Sequence, residues 1–313
     1  MSDLFDGSEA SLRSFLENLS GVDKVGAESR AAMLGTRSIK TTSKAKAIDL
    51  AISMIDLTTL EGADTPGKVR TLAAKAVRPD PLDETVPSVG ALCVYNDMVE
   101  IARTSLDEFG GEKIPVAAVS TAFPSGRASM TVKIQDTKDA IAAGASEIDM
   151  VIDRGAFLSG RIMEVFDEIK KIKEVCGDQA HLKVILETGE LATYDNVRRA
   201  AYLAMLAGAD FIKTSTGKVT PAATPSVVLV MLEAVRDFYR MSGKRIGVKP
   251  AGGIRTTKDA IKQLVLVNET AGPEWLDPRF FRIGASALLN DLLLQRMKLK
   301  SGHYSSSNYV TVD

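Results

Sequence analysis

Two cysteines, two histidines, one tryptophan and a net charge of only −1 leave this 313-residue chain short of what several function classes need. Cys93 and Cys176 form no C-x-x-C pair, so a disulfide framework is not indicated and a reducing compartment is expected. His181 and His303 are too few for the usual His-rich zinc or facial-triad iron sites, and no carboxylates are spaced to replace them. No metal or cofactor is therefore expected. The near-neutral charge, with dispersed basic residues, supplies no field for nucleic acid or an anionic membrane. No apolar run reaches membrane-spanning length, and the opening MSDLFDGSEAS lacks the basic start and apolar stretch of a signal peptide. The expectation is a soluble, cytoplasmic protein that meets small molecules, with neither nucleic acid nor membrane as partner.

What is present is a rhythm. Apolar, β-rich segments recur at ISMIDLTT (52–59), ALCVY (91–95), PVAAVSTAF (115–123), SEIDMVID (146–153), LKVILETG (182–189), DFIKTSTG (210–217), IGVKPAGG (246–253) and FRIGASA (281–287). Helical stretches lie between them. In 257–269, Ile261, Leu264, Val265 and Asn268 mark one face behind an N-cap at Thr256 or Thr257, and 193–207 shows a weaker version. About eight strand–helix units over 48–298 match the size of a (β/α)8 barrel, and strict alternation demands parallel strands. A doubly wound open sheet is the alternative, disfavoured because no G-x-G-x-x-G follows the first strand. The expected architecture is an α/β TIM barrel over 47–298, after a short helical extension over 1–46 and before a flexible polar tail over 299–313. Within the extension, Leu12, Phe15, Leu16 and Leu19 form an apolar stripe suited to packing on the barrel or on a neighbouring subunit.

An internal repeat places two charged residues relative to each other. AAGASEID (142–149) and LAGADFIK (206–213) share a hinge, an apolar strand and a terminal charge, with Gly144 and Gly208 as helix stops. Asp149 and Lys213 each lie five positions beyond their glycine. If these units are the fourth and sixth, the two strands feed the same layer of a barrel interior, and carboxylate and amine face each other.

Lys213 and Lys249 each end a β-rich apolar run, where an ammonium loses hydration. At an effective dielectric near 20, a second cation about 4–5 Å away disfavours protonation by roughly 4 kcal/mol. One lysine could then be a neutral nucleophile while the other stays protonated. The bland reading of either is a rim lysine in a salt bridge. Asp149 fits a proton relay or a buried ion pair. Gly252-Gly253 and Gly284-Ala285-Ser286 follow the seventh and eighth strands, where barrels often hold phosphate, and Lys218 could reach the same anion from the loop after the sixth. Ser286 otherwise caps a helix, and Lys218 is otherwise a solvated loop lysine. Asp56 ends the first strand, facing a substrate hydroxyl or capping the next turn. Glu187 and Glu190 are lesser acid–base candidates, Asp153 reads as a loop or helix start, and Cys93 as a small core residue.

In order, EIDMVID, LKVILETGEL, DFIKTSTGK, GVKPAGGIRT and FRIGAS resemble the signature segments of the deoxyribose-phosphate aldolase family, and the similarity runs from MIDLTTL to RIGASALL. The resemblance implies a cofactor-free lyase of deoxyribonucleotide catabolism that reversibly cleaves 2-deoxy-D-ribose 5-phosphate to D-glyceraldehyde 3-phosphate and acetaldehyde. It implies a Schiff base on Lys213, a perturbing lysine at Lys249 and a relay aspartate at Asp149. It also implies a phosphate site on Lys218, Gly252, Gly253 and Ser286, Asp56 near the substrate, and a homodimer or tetramer. Two departures are local: Asn96 stands where many members have proline, and Tyr309, with Tyr304 as a rival, is not the last residue as the tail tyrosine of some members is. Two other readings stay open: a phosphosugar isomerase or decarboxylase using Asp149 and a lysine as acid and base, and a catalytically silent phosphosugar-binding barrel. The cost of burying these charges without using them weighs against the last.

Overall fold

Strand alternation sends one set of side chains into a barrel and the other against helices, and this chain closes such a barrel. The computed structural model describes residues 5–306, with 309 and 310. Its strands are β1 (Ile55–Thr58), β2 (Ala91–Tyr95), β3 (Val116–Ser120), β4 (Glu147–Val151), β5 (His181–Ile185), β6 (Phe211–Lys213), β7 (Gly247–Lys249) and β8 (Ile283–Ala285). All pair in parallel and in chain order. β8 returns to β1, while single bridges Val248–Phe281 and Ala251–Gly284 join it to β7 and complete the ring.

The helices are α1 (Glu9–Glu17), α2 (Lys24–Leu34), α3 (Thr41–Ser53), α4 (Pro66–Val77), α5 (Val99–Glu108), α6 (Met130–Ala142), α7 (Arg154–Leu158), α8 (Ile162–Cys176), α9 (Tyr194–Leu206), α10 (Pro225–Ser242), α11 (Thr257–Thr270) and α12 (Leu288–Ser301). Their starts carry the expected chemistry: Thr256 caps α11 and forms a capping box with Asp259. Gly144 and Gly208 stop α6 and α9 at φ +108° and +104°, a region that favours glycine. None of the described helices is long and apolar enough to cross a membrane.

Two segments differ from the sequence expectation. Residues 52 and 53 finish α3 instead of opening β1, because Ile48, Ala51, Ile52 and Met54 lie at helical spacing and all bury completely. That helix also runs across the expected boundary at 46/47. β6 and β7 have only three residues each, since Pro250 and the positive-φ Gly217, Gly252 and Gly253 turn the chain out of the sheet directly after the lysines. Ahead of the barrel, α1 buries Leu12 and Leu16 against α8 and α9, and the Phe15 ring lies 5.8 Å from that of Tyr202. The expected tail lies partly outside the described residues.

Candidate active site

Lys213 and Lys249 close β6 and β7 and are register partners, so their side chains rise side by side into the barrel. Both ammonium groups donate to one oxygen, Asp149 Oδ2 on β4, at 2.8 Å from Lys213 Nζ and 2.7 Å from Lys249 Nζ. Lys249 Nζ also sits 2.5 Å from Asp56 Oδ2 at the base of β1. Asp149, Asp56 and Lys249 have no exposed surface, and Lys213 keeps only 2%.

Below them lies a second group of charges that sequence reasoning did not single out. Lys183 Nζ donates to Glu147 Oε2 and approaches Asp149 Oδ1 at 3.2 Å. Arg282, directly ahead of β8, donates to Asp56 Oδ1 at 2.7 Å and to Glu147 Oε1 at 3.2 Å. A signal existed: Glu147 is two residues before Asp149 and so shares its face, and Lys183 is the register partner of Asp149 on β5. A charge of inward parity in an otherwise apolar strand is the pattern that identifies Glu147 and Lys183; Arg282 lies outside its strand and carries no such signal.

The electrostatics separate Lys213 from its neighbours. Burial pushes the Asp149 carboxyl up, but Lys183, Lys213 and Lys249 together hold it well below the ordinary range. Asp56 is held low against its burial by Lys249, Arg282 and Lys183. Burial also opposes the charge on Lys249, yet Asp149 and Asp56 outweigh it and raise that ammonium well above an ordinary lysine. Lys183 and Arg282 are likewise raised by their carboxylates, against burial. Lys213 moves the other way: burial, joined by the charge of Lys249, lowers it despite Asp149. In this cluster it is the amine driven towards its neutral, nucleophilic form.

Lys213 opens onto a cavity of about 460 Å³ at the C-terminal mouth of the barrel, lined also by Lys218, Gly252, Gly253, Ser286 and Arg255. Lys218 Nζ is 3.0 Å from Glu61 Oε1 across the mouth. Ser286 lines the cavity and does not cap α12, whose N-cap position is Ala287. A Cβ on Gly252 would meet that of Ala222 at 2.7 Å, so this loop also needs glycine for packing. Lys68, paired with Asp64, lines the same cavity. Asp56 does not line it; it sits beneath Lys249, while Thr58 and Thr59 of the same segment reach the cavity wall.

Other candidates have structural partners. Glu187, in a left-handed conformation at φ 53°, accepts from Thr216 N at 3.3 Å and Thr216 Oγ1 at 2.5 Å, and so orders the loop that carries Lys218. Glu190 pairs with Arg154, and Asp153 caps α7. Cys93 is buried beside Leu60, Ala117 and Val119, and burial pushes its thiol up. The Tyr304 ring lies 3.5 Å from Lys298 Nζ, and Tyr309 lines a cavity with Pro79, Asp83 and Arg296 beside the α4–β2 connection. That connection leads into the N-terminal ends of the strands, opposite Lys213. Residues 311–313, which follow Tyr309, lie outside the described residues.

A buried carboxylate gripped by two lysines, one held below the ordinary lysine range and facing a cavity, is an arrangement for condensing an amine with a carbonyl. Residues 50–293 match the DeoC/LacD family aldolase profile. The deoxyribose-phosphate aldolase of Homo sapiens is 44% identical over 279 residues, covering 86% of this chain and 87% of the human protein. That of Mus musculus is 44% identical over 278 residues, with the same coverage of 86% and 87%. Among solved structures, the deoxyribose phosphate aldolase from Aeropyrum pernix, described as a unique tetrameric structure, superposes with a TM-score of 0.64 at 25% identity, covering 87% of this chain and 98% of that one. With that match across the barrel and that identity over most of its length, this chain belongs to the DeoC/LacD family of aldolases.

Proposed function

We propose that the chain reversibly cleaves 2-deoxy-D-ribose 5-phosphate into D-glyceraldehyde 3-phosphate and acetaldehyde through a Schiff base on Lys213. The observation that carries this is the pairing of a buried amine, lowered below the ordinary lysine range, with an open cavity rimmed by Lys218, Gly252, Gly253 and Ser286. Neutral Lys213 Nζ adds to the C1 aldehyde of the open-chain sugar. The resulting carbinolamine takes a proton on its hydroxyl and loses water to give the iminium. Removal of the C3 hydroxyl proton then breaks the C2–C3 bond, sending that electron pair into the iminium and leaving an enamine. Glyceraldehyde phosphate departs, the enamine is protonated at carbon, and water releases acetaldehyde and the free amine. Lys249 and Asp149 carry these protons, with Asp56 holding Lys249 in place beneath. The phosphate would rest on backbone N–H groups at Gly252 and Gly253, on Ser286 and on Lys218. In the same proposal the catalytic unit is 47–298, and the protein works in the cytoplasm as a homodimer or tetramer.

Borohydride with acetaldehyde tests the chemistry: reduction should leave an ethyl group on Lys213. Turnover without trapping would favour acid–base isomerase chemistry instead, and phosphate binding with neither would favour a silent barrel. The phosphate site has its own test. Lys218→Ala removes one charge-assisted contact, commonly about 1.5–3 kcal/mol. The KM for the phosphorylated sugar should rise roughly tenfold to a hundredfold while kcat stays within a few fold. Cleavage of unphosphorylated 2-deoxyribose should be indifferent to the change.

A further inference from the structure

Seven ionisable side chains form one connected network inside the barrel: Lys183, Lys213, Lys249 and Arg282 against Asp56, Glu147 and Asp149. All are buried, none with more than 6% of its surface exposed. The cations outnumber the carboxylates by one. With Lys213 neutral the network sums to zero; with Lys213 protonated it holds an uncompensated positive charge away from water, which is costly.

We propose that Glu147, Lys183 and Arg282, none of which lines the cavity, are positioning residues whose combined charge keeps the barrel interior balanced only when Lys213 is unprotonated. The nucleophile is then released by the whole ensemble and not by Lys249 alone. The inference rests on Lys213 being the Schiff-base lysine.

The geometry favours the collective account. Lys249, the cation whose charge lowers Lys213, is itself paired with two carboxylates, Asp149 and Asp56. Asp149 is in turn shared among three lysines, and Arg282 and Lys183 occupy both oxygens of Glu147. Every fixed cation thus has a carboxylate, and Lys213 is the surplus. The directions of the shifts agree: Lys183, Lys249 and Arg282 are raised, while Lys213 alone is lowered. The groups that act on Lys213 directly are Cys93 from β2, Asp149 from β4 and Lys249 from β7, and Asp56 from β1, Glu147 from β4, Lys183 from β5 and Arg282 ahead of β8 are linked to it through them. Cys93 adds no charge, since burial raises its thiol. On the loop side Glu187 is held by Thr216, and Lys218 by Glu61.

The consequence is counterintuitive: removing a distant cation should return the proton to Lys213. Lys183→Met leaves three carboxylates against two fixed cations. An amine is more basic than a carboxyl, so the proton that restores balance goes to Lys213. The experiment follows the rate of borohydride trapping of acetaldehyde on Lys213 across pH. In Lys183→Met its midpoint should rise by about one unit or more, a roughly tenfold slower reaction at neutral pH. Arg282→Gln should shift it in the same direction and serves if the first variant does not fold. Adding Glu147→Gln to Lys183→Met removes one charge of each sign and should return the midpoint close to wild type. A merely structural role predicts lower amplitude or stability with no movement of the midpoint. An unmoved midpoint in both single variants, or a double variant that stays shifted, overturns the proposal. If wild type never labels Lys213, the Schiff-base assignment fails instead, and the two failures are distinct.

Discussion

Lys213→Met is expected to lower aldol cleavage by about 10⁵-fold or more, the scale on which removal of a covalent nucleophile acts. It should also abolish borohydride labelling, and yet leave the protein as stable as wild type or more stable. The two outcomes share a cause. Lys213 is the surplus cation of a buried network, and its partner Asp149 keeps Lys183 and Lys249 when it is gone. Replacing a buried charge by an apolar side chain of similar volume is often neutral or stabilising; a gain of up to roughly 2 kcal/mol is expected here. The pH dependence fixes the sign. Lys213 is lowered in the fold from the ordinary lysine value of 10.5, so in the window below 10.5 the unfolded chain binds more protons. Wild-type stability therefore gains from this group as pH rises towards 10.5. The methionine variant lacks that gain, so its advantage should be largest at low pH and fade towards 10.5. Thermal unfolding of both proteins over a pH series measures it. A variant destabilised by several kcal/mol at every pH would show that Lys213 is a structural ion-pair lysine.

Much of this site was legible in the chain because strand parity is a strict rule. The repeat of hinge, strand and terminal charge brought Asp149 and Lys213 to one level, and they are bonded at 2.8 Å. The register of β6 on β7 set Lys213 beside Lys249. Applied to every strand, the same parity would have reached Glu147 and Lys183; they were passed over because charges early in a strand resemble entries from solvent, whereas here barrel closure covers them. Arg282 precedes its strand, so no periodicity pointed to it. The helix α3 was hidden for another reason: the apolar residues Ile52, Met54, Ile55 and Leu57 of ISMIDLTT run across the junction, and so short a run does not reveal where a helix ends and a buried strand begins. Ser286 and Asp56 each had two local readings of equal chemistry: Ala287 takes the cap position of α12 in place of Ser286, and Asp56 takes neither of its readings, since Arg282 and Lys249 occupy both its oxygens.

Asp149→Asn should show the reverse pattern to Lys213→Met, losing both activity and stability. Three lysine amines converge on this carboxylate, and the amide that replaces it offers one acceptor oxygen and turns an N–H₂ towards a cation. Stranding buried charges in this way typically costs about 3–5 kcal/mol. Cleavage should fall by roughly 10²–10⁴-fold, the range for loss of a positioned acid–base group. Since Asp149 is held below the ordinary carboxyl value of 3.8, its contribution is complete above that pH and is lost as pH falls towards the folded value. The stability gap between wild type and variant should accordingly hold at neutral pH and close in acid. The sharper test is the pair of substitutions together. Lys213→Met made in the Asp149→Asn protein removes a buried amine that has lost its carboxylate and must give up its proton on folding, so it should recover part of the lost stability while activity falls further. If the two stability changes simply add, with no recovery beyond that of Lys213→Met alone, the carboxylate and the amine are not coupled and the charge balance argued for this barrel is wrong.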